Sequence, residues 1–230
     1  MKSILILCFV PAILMAASFS DDFESYSSGS DLDSSPYWLR PGIGANLLIA
    51  EDGGGKIVET SWGSDSFATY VCLGSSIWLE GSVSTDVKFS GSEAVFGLLT
   101  RLNGSTSECY MAGIFPATPP LGATVIAYVN ASGEYTILSQ DYYLPMNADT
   151  WYEISFEITG TGPVELKLSV NGTVNSSAQD NTHNLGMGMT GVVCGYDNAQ
   201  PMFYMDNFVV NDYNSALERV TFGGIKSLFL

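Results

Sequence analysis

Histidine and basic residues are scarce in this 230-residue sequence, and their scarcity excludes several classes of protein. One histidine is present, and 8 lysines and arginines stand against 24 aspartates and glutamates, a formal net charge of −16. Binding to nucleic-acid phosphates requires many lysine or arginine contacts, which this chain cannot supply. The same charge disfavours anionic membranes, whereas divalent cations and neutral glycans are compatible with it.

Cysteine is also rare, with four residues in the whole sequence. Cys8 lies in a segment that we predict to be removed, which leaves Cys72, Cys109 and Cys194. An odd number allows one disulfide at most, and each of the three lies in an apolar, strand-like run. We therefore predict buried, reduced thiols. No Cys-x-x-Cys pair or Cys/His spacing indicates a zinc site.

Long apolar runs are absent beyond the N-terminus. Lys2, the apolar residues 4–14 and the small residues 15–18 form the three parts of a secretory signal peptide, assigned to residues 1–17. The apolar run is shorter than the roughly 20 residues that a membrane-spanning helix requires. We therefore predict a secreted or cell-surface protein without membrane insertion. Its folded domain is expected at residues 18–213, because no linker or internal repeat divides that range.

Short strand-like segments recur through this domain, separated by Gly, Ser, Asn, Asp or Pro. Residues 151–158 alternate between an apolar face and a polar face, and residues 166–170 repeat the pattern after a Gly/Pro turn. Asn171-Gly172 predicts a second tight hairpin turn. Twelve or more such strands predict an all-β, antiparallel two-sheet jelly-roll sandwich. The last residues, 214–230, break the pattern and have a spacing compatible with a short helical, docked or frayed tail.

Two acidic-aromatic segments bracket the domain, at residues 21–26 and 203–210. If they are the first and last strands and pair with each other, Glu24 and Asp206 come together. Two neighbouring carboxylates repel each other unless a proton or cation lies between them. We therefore predict a structural Ca²⁺ bound by Glu24 and Asp206, with Asp22 as a third candidate ligand. The alternative is that these are solvated acids on edge strands.

Several short motifs, in this order, resemble the concanavalin A-like (laminin G-like) jelly-roll domains of bacterial exported proteins. They are residues 22–26, 97–101, 109–114, 151–156, 166–172 and 204–208. The resemblance implies a β-sandwich in which one curved sheet can hold a glycan. It also implies a structural Ca²⁺ between the first and last strands. Relatives include carbohydrate-binding modules, glycoside hydrolases and polysaccharide lyases, so the fold alone does not decide the function.

Binding of a glycan requires exposed aromatic rings and polar side chains nearby. Arg101 and Tyr110 match concave-sheet positions of the resemblance, and Trp62, Trp78 and Tyr128 are further candidates. The alternative for each aromatic residue is packing in the core. We assign Trp151, which opens a strand, to the core.

The residues that glycan-cleaving enzymes need are not found. Hydrolases of this fold carry a Glu-x-Asp-x-(x)-Glu strand, and Glu153 and Glu157 lack the middle aspartate. The only histidine, His183, lies in a polar loop and is expected to be a surface bystander. We therefore expect a non-catalytic carbohydrate-binding module stabilised by calcium, whose partner is a glycan or cell-surface polysaccharide. The alternatives are a structural or adhesive extracellular protein, or a lyase or hydrolase with an atypical site.

Overall fold

The structure is a computed structural model that describes residues 17–42, 44–77, 80–91, 94–116, 121–196 and 200–213. The predicted tail, residues 214–230, and the predicted signal peptide apart from Ala17 lie outside the described residues. Within them, the chain forms fifteen β-strands and a short 3₁₀ helix at Leu32–Ser34. The strands are β1 Ala17–Asp21, β2 Trp38–Leu39, β3 Asn46–Asp52, β4 Gly55–Ser61, β5 Phe67–Ile77, β6 Gly81–Ser90, β7 Ala94–Leu102, β8 Cys109–Pro116, β9 Leu121–Val129, β10 Tyr135–Pro145, β11 Tyr152–Thr159, β12 Val164–Val170, β13 Thr173–Asp180, β14 Gly188–Tyr196 and β15 Met202–Asp212.

The strands form two antiparallel sheets that face each other, which confirms the predicted jelly-roll sandwich. Sheet A has the order β13-β12-β11-β6-β15-β4-β3, and β1 also pairs with β15. Sheet B has the order β10-β9-β8-β7-β14-β5-β2. Apolar side chains from the two inner faces, such as Phe89 and Phe156 from sheet A and Leu98 and Ile126 from sheet B, are fully buried between them.

The two hairpins predicted from alternation and turn residues are present. β11 pairs with β12, from Ile154 opposite Val170 to Thr159 opposite Glu165. Asn171 and Gly172 connect β12 to β13 with φ of 50° and 73°, the two left-handed conformations that a tight hairpin turn of this kind requires. Asparagine adopts this conformation more readily than most residues, and the Asn171 Oδ1 atom also accepts a 3.0 Å hydrogen bond from the Glu153 amide on β11.

The first and last strands of the described chain pair as predicted, but the first strand lies elsewhere. β1 runs antiparallel to β15, with Asp21 opposite Phe208, and it ends at Asp21 rather than spanning residues 21–26. Asp21 is buried and accepts hydrogen bonds from the Phe23 amide, the Tyr26 hydroxyl and the indole of Trp38. These bonds fold the chain into a turn in which Phe23 has a φ of 57°.

The three cysteines of the domain are buried free thiols, as predicted. Burial raises the pKa of Cys72 to about 11 and that of Cys109 to about 12, so both are uncharged near neutral pH. The described residues contain no helix long and apolar enough to cross a membrane.

Candidate functional site

The outer face of sheet B carries a groove of about 410 Å³. Its floor is a row of side chains that crosses five strands. Leu99 on β7 lies opposite Met111 on β8 and opposite Gly191 on β14. Gly191 in turn lies opposite Val71 on β5, which pairs with Leu39 on β2. The floor is therefore aliphatic across its whole width.

Two glycines in the middle of this face allow neighbouring groups to approach closely. A Cβ atom on Gly191 would lie 2.3 Å from the carbonyl oxygen of Tyr70, a distance that no side chain tolerates. A Cβ atom on Gly97 would lie 3.2 Å from both Met111 and Val193, whose side chains already occupy the space above it. Packing of the strands therefore requires glycine at position 191, and the side chains of Met111 and Val193 cover Gly97.

Most polar groups of the groove lie at one end, on the loop between β7 and β8 and at the start of β10, and Thr69 on β5 adds a hydroxyl opposite Val193. Asn103 and Ser107 line the groove there, and so does Tyr135, which is 68% exposed. The Asn103 Oδ1 atom accepts hydrogen bonds from the backbone amides of Ser105 and Thr106 at 2.8 and 3.2 Å. Because that oxygen holds the loop, a ligand would be bound by donation from the Asn103 Nδ2 group.

The groove presents no ionised side chain. None of the described residues that line it is Asp, Glu, His, Lys or Arg. Cys109 does line it, but the raised pKa keeps this thiol protonated. The lining can therefore contribute dispersion contacts and neutral hydrogen bonds to a ligand, and it holds no pair of carboxylates for acid–base chemistry.

Arg101, predicted to reach a glycan, points into the sandwich instead and is 1% exposed. Between Gly191 and Met189 the register of β14 against β7 shifts, and Arg101 adopts a φ of 50° in this β-bulge. The bulge re-aims the side chain towards sheet A. There its guanidinium donates hydrogen bonds to the carbonyl oxygens of Leu185, at 3.0 Å, and Gly160, at 2.8 Å. Arg101 thus ties the two layers together.

Tyr110 and Tyr128 were also predicted to face a glycan. Both are buried, at the same end of the sandwich as Arg101. The Tyr110 hydroxyl donates to Asp180 at 2.9 Å and also to the backbone oxygen of His183. The Tyr128 ring stacks on His183 with centroids 3.7 Å apart, and its hydroxyl donates to Glu108, which raises the pKa of Tyr128 to about 12. His183, expected to be an isolated surface residue, is thus half-buried in a polar network.

Asp180 is the centre of this network and was not singled out in the sequence. Burial alone would raise the pKa of its carboxyl group, but hydrogen bonds from the Thr182 amide, Tyr110 and His183 outweigh that effect and lower it. The carboxylate fastens the loop after β13 to the inner face of sheet B, so these tyrosines hold the end of the sandwich together and present no ring to solvent.

The three tryptophans with predicted roles have different positions. Trp62 is 4% exposed, and its indole donates to the Pro201 carbonyl at 2.6 Å, so it is a core residue. Trp78 lies outside the described residues. Trp151, which we assigned to the core, is 37% exposed on the outer face of sheet A, where the Lys88 ammonium lies 4.8 Å from the ring centre.

Carboxylates gather on the outer face of sheet A, where calcium was predicted. Asp206 on β15 lies opposite Asp86 on β6, which in turn lies opposite Glu153 on β11. Burial raises the pKa of Asp206, and the charges of Asp86, Glu24 and Asp22 raise it further. The structure thus brings Glu24, Asp22 and Asp206 within electrostatic range of one another.

Their side chains are nevertheless not arranged as ligands of one ion. In the described part of the chain, no group of three or more His, Cys, Asp and Glu side chains is placed to hold a metal. The Glu24 Oε1 atom accepts a 2.8 Å hydrogen bond from the Lys56 amide instead. The calcium site therefore stays a prediction.

The residues of the groove floor were not predicted as a site, although the sequence contains a signal for them. Residues 95–99 on β7 are apolar or glycine at both alternating positions, where a strand with one solvated face shows polar residues at every second position. Sequence reasoning read these residues only as a strand of the sandwich.

Comparison with known proteins shows the fold and little else. No protein-family model matches the sequence, and no curated protein matches it. Among solved structures, the carbohydrate binding module CBM66 from Bacillus subtilis is similar with a TM-score of 0.57 and 14% identity, over 76% of this chain and 95% of that one. A Bacillus subtilis protein of unknown function with a galectin-like fold is similar with a TM-score of 0.61 and 14% identity, over 84% of this chain and 94% of that one.

A glucanase has the same architecture. The β-glucanase of Bacillus licheniformis gives a TM-score of 0.54 and 14% identity, over 85% of this chain and 97% of that one. The chain therefore has the concanavalin A-like/glucanase jelly-roll fold, as the resemblance implied. At such identities the comparison supports an architecture, and the ligand has to be argued from the groove itself.

Proposed function

We propose that this protein is an exported, non-catalytic carbohydrate-binding module whose ligand lies in the groove on the outer face of sheet B. The observation that carries the proposal is the groove, a preformed hollow with polar groups at one end, on a fold that a carbohydrate binding module and β-glucanases also have. Its size, about 410 Å³, lies in the range of small-molecule sites. Tyr135 at the rim can stack its ring on the C–H groups of a sugar.

Binding without cleavage is the function that the lining favours. Glycoside hydrolysis requires two carboxylates on either side of the bond, about 5–10 Å apart. The groove-lining residues of the described chain include no carboxylate, and β7 presents Gly97 and Leu99 on this face.

The proposal is tested by measuring affinity across a panel of polysaccharides with purified protein, by calorimetry or gel retardation. Tyr135→Ala should weaken binding about tenfold, because one stacking ring is lost from the rim. Tyr143→Ala is the matched control: it lies on the same strand, is 83% exposed and does not line the groove. Absence of binding to every glycan, or equal losses in both variants, would contradict the proposal. So would new reducing ends or unsaturated uronate absorbance during incubation with the panel.

The acidic face of sheet A is the place where we propose a structural Ca²⁺, held by Glu24 and Asp206 with Asp22 nearby. What supports it is that burial, and then the charges of Asp86, Glu24 and Asp22, raise the pKa of Asp206, and a cation would relieve the repulsion among these carboxylates. Saturating calcium should then raise the melting temperature of the wild type, since a ligand of the native state adds stability by mass action. Asp206→Ala should abolish that increase. If the melting temperature of the wild type were the same in calcium and in EDTA, the proposed calcium site would be contradicted.

A further inference from the structure

The groove contains two chemically different parts. Its floor offers the aliphatic side chains of Leu39, Val71, Leu99, Met111 and Val193, with the single hydroxyl of Thr69 opposite Val193, and its other polar groups lie at the end formed by the β7–β8 loop and Tyr135. An unsubstituted sugar carries hydroxyl groups around its whole ring. Those that faced this floor would lose their water without gaining a partner, which is costly for each group.

The absence of charge among the described lining residues restricts the class of ligand further. Since the described lining holds no ionised group, it cannot compensate a carboxylate or sulfate on a sugar. The chain as a whole carries a formal charge of −16, which also repels anionic polysaccharides. A neutral ligand is therefore favoured on both grounds.

An acetyl substituent matches both parts of the groove. Its methyl group can be buried against the aliphatic floor, and its carbonyl oxygen is an acceptor for donors at the polar end. Asn103 is suited to this role, because it lines the groove, its Oδ1 atom already accepts from the Ser105 and Thr106 amides, and its Nδ2 group is a donor.

From the aliphatic floor and uncharged lining, we propose that the ligand is a neutral glycan carrying acetyl groups and that these groups lie in the groove. The proposal rests on the proposed function, because it names the kind of glycan that the same groove takes. Each methyl group buried on the floor should tighten binding about fourfold. Removal of acetyl groups from the polysaccharide should therefore weaken binding by that factor or more.

The test compares three neutral polysaccharides, xylan, glucomannan and mannan, each in its acetylated form and after alkaline deacetylation. The wild type should bind at least one acetylated form about fourfold or more tightly than its deacetylated partner. Val193→Thr puts a hydroxyl on the floor without changing side-chain shape and should reduce the preference. Val95→Thr is the matched control, because Val95 lies on the same face of sheet B outside the groove lining and should leave the preference unchanged.

The outcomes separate the two proposals. Equal binding to both forms of the bound polysaccharides, or the same change in both variants, would overturn the acetyl-group proposal and leave glycan binding standing. Tighter binding to deacetylated forms would overturn it too. No binding to any of the six samples would overturn the acetyl-group proposal, and no binding to a full neutral and anionic glycan panel would overturn glycan binding itself.

Discussion

The outer faces of the two sheets differ, although both belong to antiparallel sheets of one sandwich. On sheet A, β6 alternates without a break: its inward residues are buried, and Ser84, Asp86 and Lys88 point outwards. On sheet B, β7 is apolar on both sides, so that Leu99 on its outer face is only 5% exposed while Leu98 fills the core. A free outer face of an antiparallel sheet is ordinarily polar. The departure on sheet B lies where we propose the ligand groove.

The two faces also differ in electrostatics. Sheet A carries a row of acids, Glu153, Asp86 and Asp206, and ion pairs such as Lys167 with Glu157 at 3.3 Å. The groove on sheet B has no ionised lining residue in the described chain. One face is therefore built to remain solvated, or to hold a cation, and the other to exclude charge.

The largest difference between the two faces should appear in the free energy of unfolding when a carboxylate is introduced on each of them. Leu99→Asp buries a charge on the groove floor and should lower the free energy of unfolding by about 3 kcal/mol or more. Ser169→Asp, on the outer face of sheet A beside Lys167, should change it by no more than about 0.5 kcal/mol. Urea titrations of both variants measure the difference. If Leu99→Asp were as stable as Ser169→Asp, the outer face of sheet B would be solvated like that of sheet A.

The sequence was sufficient for the architecture because alternation and turn chemistry are local properties. The β11–β12–β13 hairpins follow from period-2 patterns and from Asn171-Gly172, and both are present in the structure. The direction of a side chain at a strand's end is not a local property. Arg101 shares the alternation of Leu99, but the bulge opposite β14 turns it into the core, and the bulge depends on how two distant strands meet.

The site residues were missed for a related reason. Exposed aromatic rings were sought, but Tyr110, Tyr128 and Trp62 are large enough to fill the sandwich and find buried hydrogen-bond partners there. Asp21 and Asp180 act as buried acceptors whose donors come from distant parts of the chain, among them Trp38 and Tyr110. Contacts of this kind depend on tertiary structure and leave no pattern in the sequence.

A smaller effect with the opposite sign is expected from the acids of sheet A. Asp206 has a pKa that burial and then Asp86, Glu24 and Asp22 raise above its ordinary value of 3.8. The folded state therefore binds this proton more tightly than the unfolded state, so at pH 7 the ionised group destabilises the fold, and this cost is relieved as the pH falls through the raised pKa. In EDTA, Asp206→Asn should thus stabilise the protein by less than about 1 kcal/mol at pH 7.

The pH dependence of the stability gain shows whether it comes from removing the Asp206 charge or from the introduced asparagine amide itself. Well below pH 3.8 the wild-type carboxyl is protonated in both the folded and the unfolded state, so the advantage of Asp206→Asn should disappear there. Glu153→Gln, in the same row but without Asp206's burial, is the control. An Asn variant that is less stable than the wild type at pH 7 in EDTA would mean that the ionised Asp206 carboxylate stabilises the fold, through its hydrogen bond from the Asn207 amide, by more than its acidic neighbours destabilise it.

The smallest effect concerns Lys88, a basic side chain on the acidic outer face of sheet A. The Lys88 ammonium lies 4.8 Å from the Trp151 ring centre and 4.6 Å from that of Tyr204, and 2.7 Å from Asp52. Cation–π contacts at exposed sites contribute about 0.5–1 kcal/mol, so Lys88→Met, which keeps the aliphatic stem, should lower the free energy of unfolding by about that amount. Lys167→Met removes a surface ion pair without rings and should cost less than about 0.5 kcal/mol. Urea unfolding and Trp151 fluorescence measure both, and equal losses would mean that the two rings add nothing and that the face is held by ordinary ion pairing alone.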